Sequence, residues 1–317
     1  MEDHNSAFRI PHSALDNIPL LVIAGPTAGG KTALAIKIAL ERGGEIVSAD
    51  SMQIYKGMEI ATAKPTKEEL AAVPHHLIGL ADPAERFSVA RYAPLAHAAI
   101  RDIHARGRLP ILAGGTGLYI QAVAENLSYP ALEIDTALRE NLNQRGNASL
   151  YEELKKLDPE TKLHASDKKR VVRALELYHG AGLTIKEQNE RSTARPSPYA
   201  CKMIFLNARD RQVLYDRIDR RVDDMFARGL LEEAAEWRKS ASATAAQAIG
   251  YKELEPYFSG ACTLEEAAAN LKQATRRYAK RQLSWFRRMA AEWGERCLEC
   301  TIDNEQLTMT EALRFLL

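Results

Sequence analysis

Residues 25–32 read Gly25-Pro26-Thr27-Ala28-Gly29-Gly30-Lys31-Thr32, behind the apolar run Leu20-Leu21-Val22-Ile23-Ala24 and ahead of the helical run Ala33 to Leu40. The spacing is G-x-x-x-x-G-K-[ST] between a predicted strand and a predicted helix, the context a phosphate-cradling loop needs. Glycines let successive backbone N–H groups converge on an anion at a helix N-terminus. Lys31 adds a point charge for terminal phosphates, and the Thr32 hydroxyl can hold a magnesium ion. The alternative is a plain strand-to-helix turn, which the flanking pattern disfavours. The loop predicts a polyphosphate ligand without saying which one.

Outward from this loop, short apolar strands alternate with helical segments. Glu45 to Ala49 reads as a second strand, Ser88 as the N-cap of a helix through Arg106, and Leu109 to Ala113 as a further strand ended by Gly114-Gly115. Such alternation implies a parallel sheet with helices on both faces. From about Ser128 to Pro198 the β character disappears. Leu138, Leu142, Leu150, Leu154, Leu157, Val171, Leu175 and Tyr178 recur at helical spacings in a charged background, which predicts a helical insert. Lys202 to Leu206 returns the chain to the sheet. The remainder reads as helix: Asp210 to Arg228, Leu230 to Lys239 and Leu264 to Trp293. The expected organisation is a tail over 1–18, a core over 19–127 and 199–317, and an insert over 128–198.

With 317 residues, 46% hydrophobic and 27% charged, the chain has ordinary soluble composition and enough length for a substantial core. Its apolar runs are too short to span a membrane. Met1 to Asn17 is polar, of mixed charge and without an apolar h-region, so a loose tail and a cytoplasmic location are expected. Cys201, Cys262, Cys297 and Cys300 are scattered; Cys297-x-x-Cys300 lacks a partner pair, so free thiols are expected. Adjacent His75 and His76 would point to opposite faces of a strand, which favours structural roles over metal binding. The net charge of +1 neither favours nor excludes a nucleic-acid partner.

The second strand runs into Ala49-Asp50-Ser51-Met52-Gln53. Ligands in doubly wound sheets lie beyond the C-terminal strand ends, so Asp50 is expected in the crevice of the phosphate loop. There it either takes a proton from an acceptor or satisfies local backbone N–H groups as a turn residue. The strand Pro110 to Ala113 ends in Gly114-Gly115-Thr116-Gly117, not in the Asp an NTP hydrolase would use for magnesium. Group transfer from a polyphosphate donor is the chemistry this pattern suggests.

Longer strings carry a resemblance. Asp50-Ser51-Met52-Gln53-Ile54-Tyr55-Lys56-Gly57-Met58 with Thr62-Ala63-Lys64-Pro65, Gly114-Gly115-Thr116-Gly117-Leu118-Tyr119, Arg173-Ala174-Leu175-Glu176-Leu177-Tyr178, Ala248-Ile249-Gly250-Tyr251-Lys252-Glu253 and Thr275 through Phe286 stand in order. Together they resemble the signature blocks of bacterial tRNA dimethylallyltransferases, over about Leu20 to Trp293. The resemblance implies an α/β fold: a P-loop NTPase-like parallel sheet flanked by helices, with a helical insert and a helical C-terminal region. Three positions depart from the family pattern: Ala61 for Gly, Gly79 for Asp and Lys169 for Gln.

The resemblance further implies transfer of a dimethylallyl group from dimethylallyl diphosphate to N6 of adenosine 37 in the tRNA anticodon stem-loop, releasing pyrophosphate. Gly25 through Thr32 would hold the diphosphate, with Thr32 on Mg2+ and Lys31 on the growing charge. Arg217 and Arg221, one turn apart, would clamp the same leaving group. Asp50 would take the N6 proton, and Thr116 would bond leaving-group oxygen or acceptor nitrogen. The tRNA contacts implied are Asp50, Ser51, Met52, Gln53, Thr116, Arg139, Lys169, Arg170, Val171, Val172 and Arg173. Gln53 carries the donor and acceptor suited to an adenine edge. The cluster Arg276, Arg277, Lys280, Arg281, Arg287 and Arg288 spreads round a long helix, part facing phosphates and part facing water. Trp285, Phe286 and Trp293 are expected to pack rather than stack on bases. A monomer without membrane attachment is expected. Three rivals remain: prenylation of a free adenine nucleotide, a small-molecule kinase using ATP with Asp50 as base, and a nucleotide-dependent RNA-binding module.

Overall fold

In Ile18–Ala24 (β1), Leu20, Val22 and Ala24 pack on one side of a sheet and Leu21 and Ile23 on the other. Both faces of the strand are therefore covered, as parallel sheets require. The computed structural model describes residues 17–129, 135–193, 195–238, 242 and 244–316. Residues 1–16 of the expected tail lie outside them.

After β1 come Lys31–Arg42 (α1), Gly44–Ser48 (β2), Lys67–Ala72 (α2), His75–His76 (β3), Val89–Ala105 (α3), Leu109–Gly114 (β4) and Gly117–Ala124 (α4). Helices Thr136–Gln144 (α5), Asn147–Leu157 (α6), Lys168–Ala181 (α7) and Ile185–Ser192 (α8) follow. Tyr199–Asn207 (β5), Arg211–Ala227 (α9), Leu230–Trp237 (α10), Glu255–Phe258 (α11), Leu264–Trp293 (α12), Cys297–Thr301 (β6) and Glu305–Phe315 (α13) complete the chain. The sheet order is β3-β2-β4-β1-β5-β6, every pair parallel. The expected α/β parallel sheet with flanking helices is thus observed.

Two compact units emerge, one of residues 1–124 and 197–317, the other of residues 125–196. In the second, Leu142, Leu150, Leu154, Val171, Val172 and Leu175 form a small core between α5, α6 and α7. Arg139 makes a two-pronged contact with the buried Glu176 there, Nη2 to Oε2 being 2.7 Å.

Strand β6 is a correction, since the sequence reads as helix after Leu206. It is a short edge strand on β5, with its middle residue Glu299 exposed, so it lacks a long apolar signature. It also accounts for the cysteine pair. Cys297 packs on one face of the sheet and Cys300 on the other, and both thiols are free. Among the described residues no group of three or more His, Cys, Asp or Glu could hold a metal ion. His75 Nδ1 lies 2.8 Å from Val73 O, and His76 Nε2 lies 2.8 Å from the Glu45 carboxylate that Arg106 also grips. Phe286 and Trp293 are buried in the core and Trp285 packs against it. No described helix is long and apolar enough to cross a membrane.

The strand tips are tied at one backbone crossing. Ala49 N–H donates to Ala113 O (2.8 Å), and Ala49 O accepts from Thr116 N–H (3.1 Å). A Cβ on Gly114 would stand 2.1 Å from Ala49 O, a backbone atom that cannot swing aside. Gly114→Ala should therefore destabilise the fold by about 3 kcal/mol, the upper range for overpacking a filled site. Urea unfolding followed by circular dichroism would measure the shift.

Candidate active site

The turn from β1 into α1 has the backbone of an anion cradle. Ala28 and Gly30 adopt left-handed conformations, φ 59° and 82°, which fold the loop back so that Gly29 N–H donates to Pro26 O. Helix α1 starts at Lys31 without a side-chain cap, so its first-turn amides are open to a ligand. Residues Thr27 to Thr32 line a cavity of about 550 Å³. Lys31 Nζ donates to Pro26 O at 2.7 Å. Burial, reinforced by the nearby Arg221, lowers its pKa to about 8, and Asp50 partly offsets this.

Asp50, Ser51, Met52 and Gln53 enter the same cavity from the end of β2. The turn reading of Asp50 is the one the hydrogen bonds display. Its Oδ1 accepts from Met52 N–H at 2.9 Å and Gln53 N–H at 3.4 Å, which fixes the carboxylate. Its Oδ2 has no protein partner among the described residues and belongs to the cavity wall. Thr116 Oγ1 accepts from Ser51 N–H at 3.0 Å and lies 3.3 Å from Ser51 Oγ, so it stands directly behind the Asp50 turn.

Helix α9 contributes Arg221, Val222, Asp224, Met225 and, just past its end, Arg228. Burial lowers the Arg221 pKa, Asp50 opposing and Arg228 adding to the effect. Arg217 corrects the expected clamp: its Nη2 donates to Ile302 O at 2.7 Å, and it lines a separate small cleft with Gly29, Gly30 and Lys37. The two arginines thus flank the loop in different openings.

Gln53 is a second correction. Its Nε2 donates to Ala63 O at 3.1 Å and lies 3.4 Å from Thr62 O, and its Oε1 accepts from Ser48 Oγ–H at 3.0 Å. The amide pins the Thr62–Ala63 turn, which also lines the cavity, and has no free edge for a base. The neighbouring turn is held by Glu233, whose carboxylate accepts from the N–H groups of Glu59, Ile60 and Ala61 at 2.7, 2.7 and 2.8 Å.

On the insert, Val171 and Val172 are buried in its core and are not contact residues. Arg139 is committed to Glu176, and Arg173 lies 3.5 Å from the same carboxylate while half exposed. Lys169 and Arg170 are exposed, Arg170 loosely paired with Asp167 at 3.3 Å.

Helix α12 supplies what the sequence reading missed. Leu271, Thr275, Tyr278, Arg281 and Gln282 line the cavity, as do Ala248, Ile249 and Lys252. The Tyr278 pKa is raised by burial and by the Asp50 charge, so its hydroxyl stays protonated near Thr116 and Gln282. The signal was present: Thr275, Tyr278 and Gln282 share a helical stripe with Leu271 and Ala279, and polar residues on a core-facing stripe need partners. The basic cluster divides between protein partners and solvent. Arg276 pairs with Asp219 (2.8 Å), Arg287 reaches Asn207 Oδ1 (3.2 Å), and Arg277 and Lys280 are exposed.

The site is thus a cation-rich cavity with the carboxylates of Asp50, Glu69 and Asp224, the N-terminal amides of α1 and an apolar patch of Met52, Val222, Met225, Ile249 and Leu271. That suits an anionic head with an apolar tail. A family model described as IPP transferase matches residues 53–289, and one described as isopentenyl transferase matches residues 18–78. The tRNA dimethylallyltransferase of Geobacillus thermodenitrificans is 50% identical over 283 residues, covering 86% of this chain and 89% of that protein. That of Thermoanaerobacter sp. strain X514 is 47% identical over 280 residues, covering 85% and 89%. The solved tRNA isopentenylpyrophosphate transferase of Bacillus halodurans superposes with a TM-score of 0.69 at 42% identity, over 94% of this chain and 95% of its own. A eukaryotic dimethylallyltransferase, solved acting on tRNA, gives 0.80 at 29% identity over 94% and 77%.

The lowered Lys31 pKa predicts how a pyrophosphate-type anion binds. Lys31 is charged below about 8 and loses its proton above. Titration calorimetry with inorganic pyrophosphate should show Lys31→Met binding roughly tenfold more weakly than wild type at pH 7, the scale of one charged hydrogen bond. The gap should narrow as pH rises beyond about 8.

Proposed function

The chain belongs to the IPP transferase family, and we propose that it transfers a dimethylallyl group from dimethylallyl diphosphate to N6 of adenosine 37 of tRNA. The observation that supports this reading is the shared cavity: the phosphate loop and Asp50 line one volume, together with the cations Arg221, Arg228, Lys252 and Arg281 and the apolar side chains Met52, Val222, Met225, Ile249 and Leu271.

The chemistry follows from the parts. The diphosphate binds at Thr27 to Thr32, with Lys31 and Arg221 opposite its charge and the five-carbon tail along Val222, Met225 and Leu271. As the allylic C–O bond breaks, the electron pair goes to diphosphate oxygen, and the loop amides and cations stabilise that charge in a cavity sheltered from water. N6 of the adenine attacks the freed carbon. Its proton passes to Asp50 Oδ2, the oxygen that the backbone leaves unoccupied. Thr116 and Ser51 brace the turn that aims this carboxylate.

Mg2+ fits as a partner of the donor. The cavity offers the Thr32 hydroxyl and few carboxylates, and Mg2+ draws most of its ligands from phosphate oxygens and water. When bound it would neutralise part of the leaving-group charge.

The adenosine must leave the anticodon-loop stack, a modest cost in a single-stranded loop. On the insert the exposed Lys169, Arg170 and Arg173 are offered to RNA phosphate, and on α12 the exposed Arg277 and Lys280. A free adenine nucleotide would need neither set.

Mass analysis of tRNA incubated with dimethylallyl diphosphate should reveal one prenylated adenosine, whereas labelled ATP should transfer nothing. Asp50→Ala should lower turnover by ~10³-fold, within the range of general-base loss, and leave tRNA affinity in filter binding within about twofold. Turnover that survives within a few-fold would remove Asp50 from the base role.

A further inference from the structure

Gln282 sits in the middle of α12, 5% exposed, with both ends of its side-chain amide engaged. Oε1 accepts from Thr27 N–H in the phosphate loop at 2.8 Å. Nε2 donates to Gly115 O, in the turn between β4 and α4, at 2.9 Å. One side chain therefore links the tip of β1 to the tip of β4 across 255 and 167 residues of sequence. The next residue after Gly115 is Thr116, whose hydroxyl accepts from Ser51 N–H beside Asp50.

The helix face around Gln282 is built for close approach. A Cβ on Gly115 would stand 2.3 Å from Gln282 Nε2, and one on Gly117 would stand 2.3 Å from Trp285 Cδ1. Tyr278 and Trp285 lie one turn to either side on the same stripe, so α12 is pressed against the whole 115–117 turn. The Thr27 amide, which a bare phosphate loop would turn toward its anion, is consumed by Gln282 instead. The cradle left for the ligand begins at Ala28.

We propose that Gln282 is a positioning residue for prenyl transfer: its amide bridge from Thr27 to Gly115 fixes the distance between the diphosphate cradle and the Asp50–Thr116 pair. The inference rests on the transfer reading of this cavity. Both polar ends of Gln282 are satisfied within the protein, so it acts through the loop and the turn rather than on the reacting atoms. Transfer rates are steep in such distances, a displacement of about 1 Å costing ~10²-fold. Substrate affinity is set by the other amides, Lys31, Arg221 and the tRNA-facing cations, which the bridge does not supply.

The test is a cycle of Gln282→Ala, Gly115→Ala and the double variant, assayed with dimethylallyl diphosphate and tRNA. Gly115 does not use the left-handed region, so alanine there perturbs the site through the clash with the Gln282 amide. Q282A is expected to lower kcat by roughly 10–100-fold, with the donor KM raised less than about threefold and tRNA Kd unchanged within about twofold. G115A should lower kcat in the Gln282 background and have little effect in the Q282A background, where the space is free. Wild-type protein inactive with this donor overturns the transfer reading itself. Active wild type with Q282A within threefold of its kcat overturns the positioning role alone. So does a loss confined to KM or to tRNA affinity, or a G115A cost that is equal in both backgrounds. If Q282A does not fold, G115A in the native background carries the same kcat-against-KM split.

Discussion

The active site depends on the backbone crossing of Ala49 with the end of β4. Ala49 is hydrogen-bonded on both sides, to Ala113 and to Thr116, and lies against a Gly114 that has no room for a side chain. The next residue is Asp50. A carboxylate one residue beyond a doubly bonded strand end has little freedom of direction, and its Oδ1 contacts with Met52 and Gln53 remove most of what is left. Preorganisation of this kind is what a proton acceptor needs, because no reorganisation is then required as charge develops. The same crossing puts the β2 and β4 tips level with the β1 loop, since β1 and β4 are neighbours in register from Leu21 with Ile111 to Ala24 with Gly114.

Six cations, Lys31, Lys64, Arg221, Arg228, Lys252 and Arg281, line the cavity with three carboxylates, Asp50, Glu69 and Asp224. Lys31 is pushed down to about 8 chiefly by burial, and the buried Arg221 is lowered as well. Each shift records a charged form that burial disfavours. On the proposed reading a diphosphate beside Lys31 and Arg221 would offset this by favouring the charged form of each. Binding energy is therefore concentrated on the phosphates. The apolar wall contributes shape and dryness, and dryness strengthens every electrostatic term at the reacting carbon.

Much of this was legible from residue order because local geometry and chemistry coincide there. A strand, a glycine-rich turn and a helix start can be read from eight residues, and the Asp50 turn and the 114–117 turn follow from strand ends in a parallel sheet. The failures share one physical cause: side-chain direction after tertiary packing. Gln53 looks like a base reader until the Thr62–Ala63 carbonyls take its amide. Arg217 and Arg221 look like a clamp until Ile302, brought close by the unforeseen edge strand β6, captures the first. Val171 and Val172 stand between basic residues in sequence but face inward on α7, where three of every seven helix positions must. Gln282 and Tyr278 stand in the block Thr275 to Phe286 with no role legible for either, because a partner 255 residues away from Gln282 leaves no local trace.

The three departures from the family pattern separate along the same line. Lys169 puts a cation in place of a neutral Gln on an exposed position, where packing imposes no constraint. Ala61 is permitted because its φ is not in the left-handed region and its N–H already serves Glu233. Its methyl lies 3.2 Å from where a Cβ on Gly250 would be, so the two sites share one small volume and only one of them has room for a side chain. Gly79 has φ 61°, and a Cβ there would point at Lys64 Nζ from 3.7 Å. The Asp of the family pattern would thus put a carboxylate on a buried lysine that lines the cavity. In this chain Lys64 is partnered by Glu59 at 2.8 Å and by the Tyr55 carbonyl at 2.5 Å. A buried ammonium has to be partnered wherever the acid comes from. Glu59 stands on the turn that Glu233 holds, so the charge balance of Lys64 is tied to the order of residues 59–61.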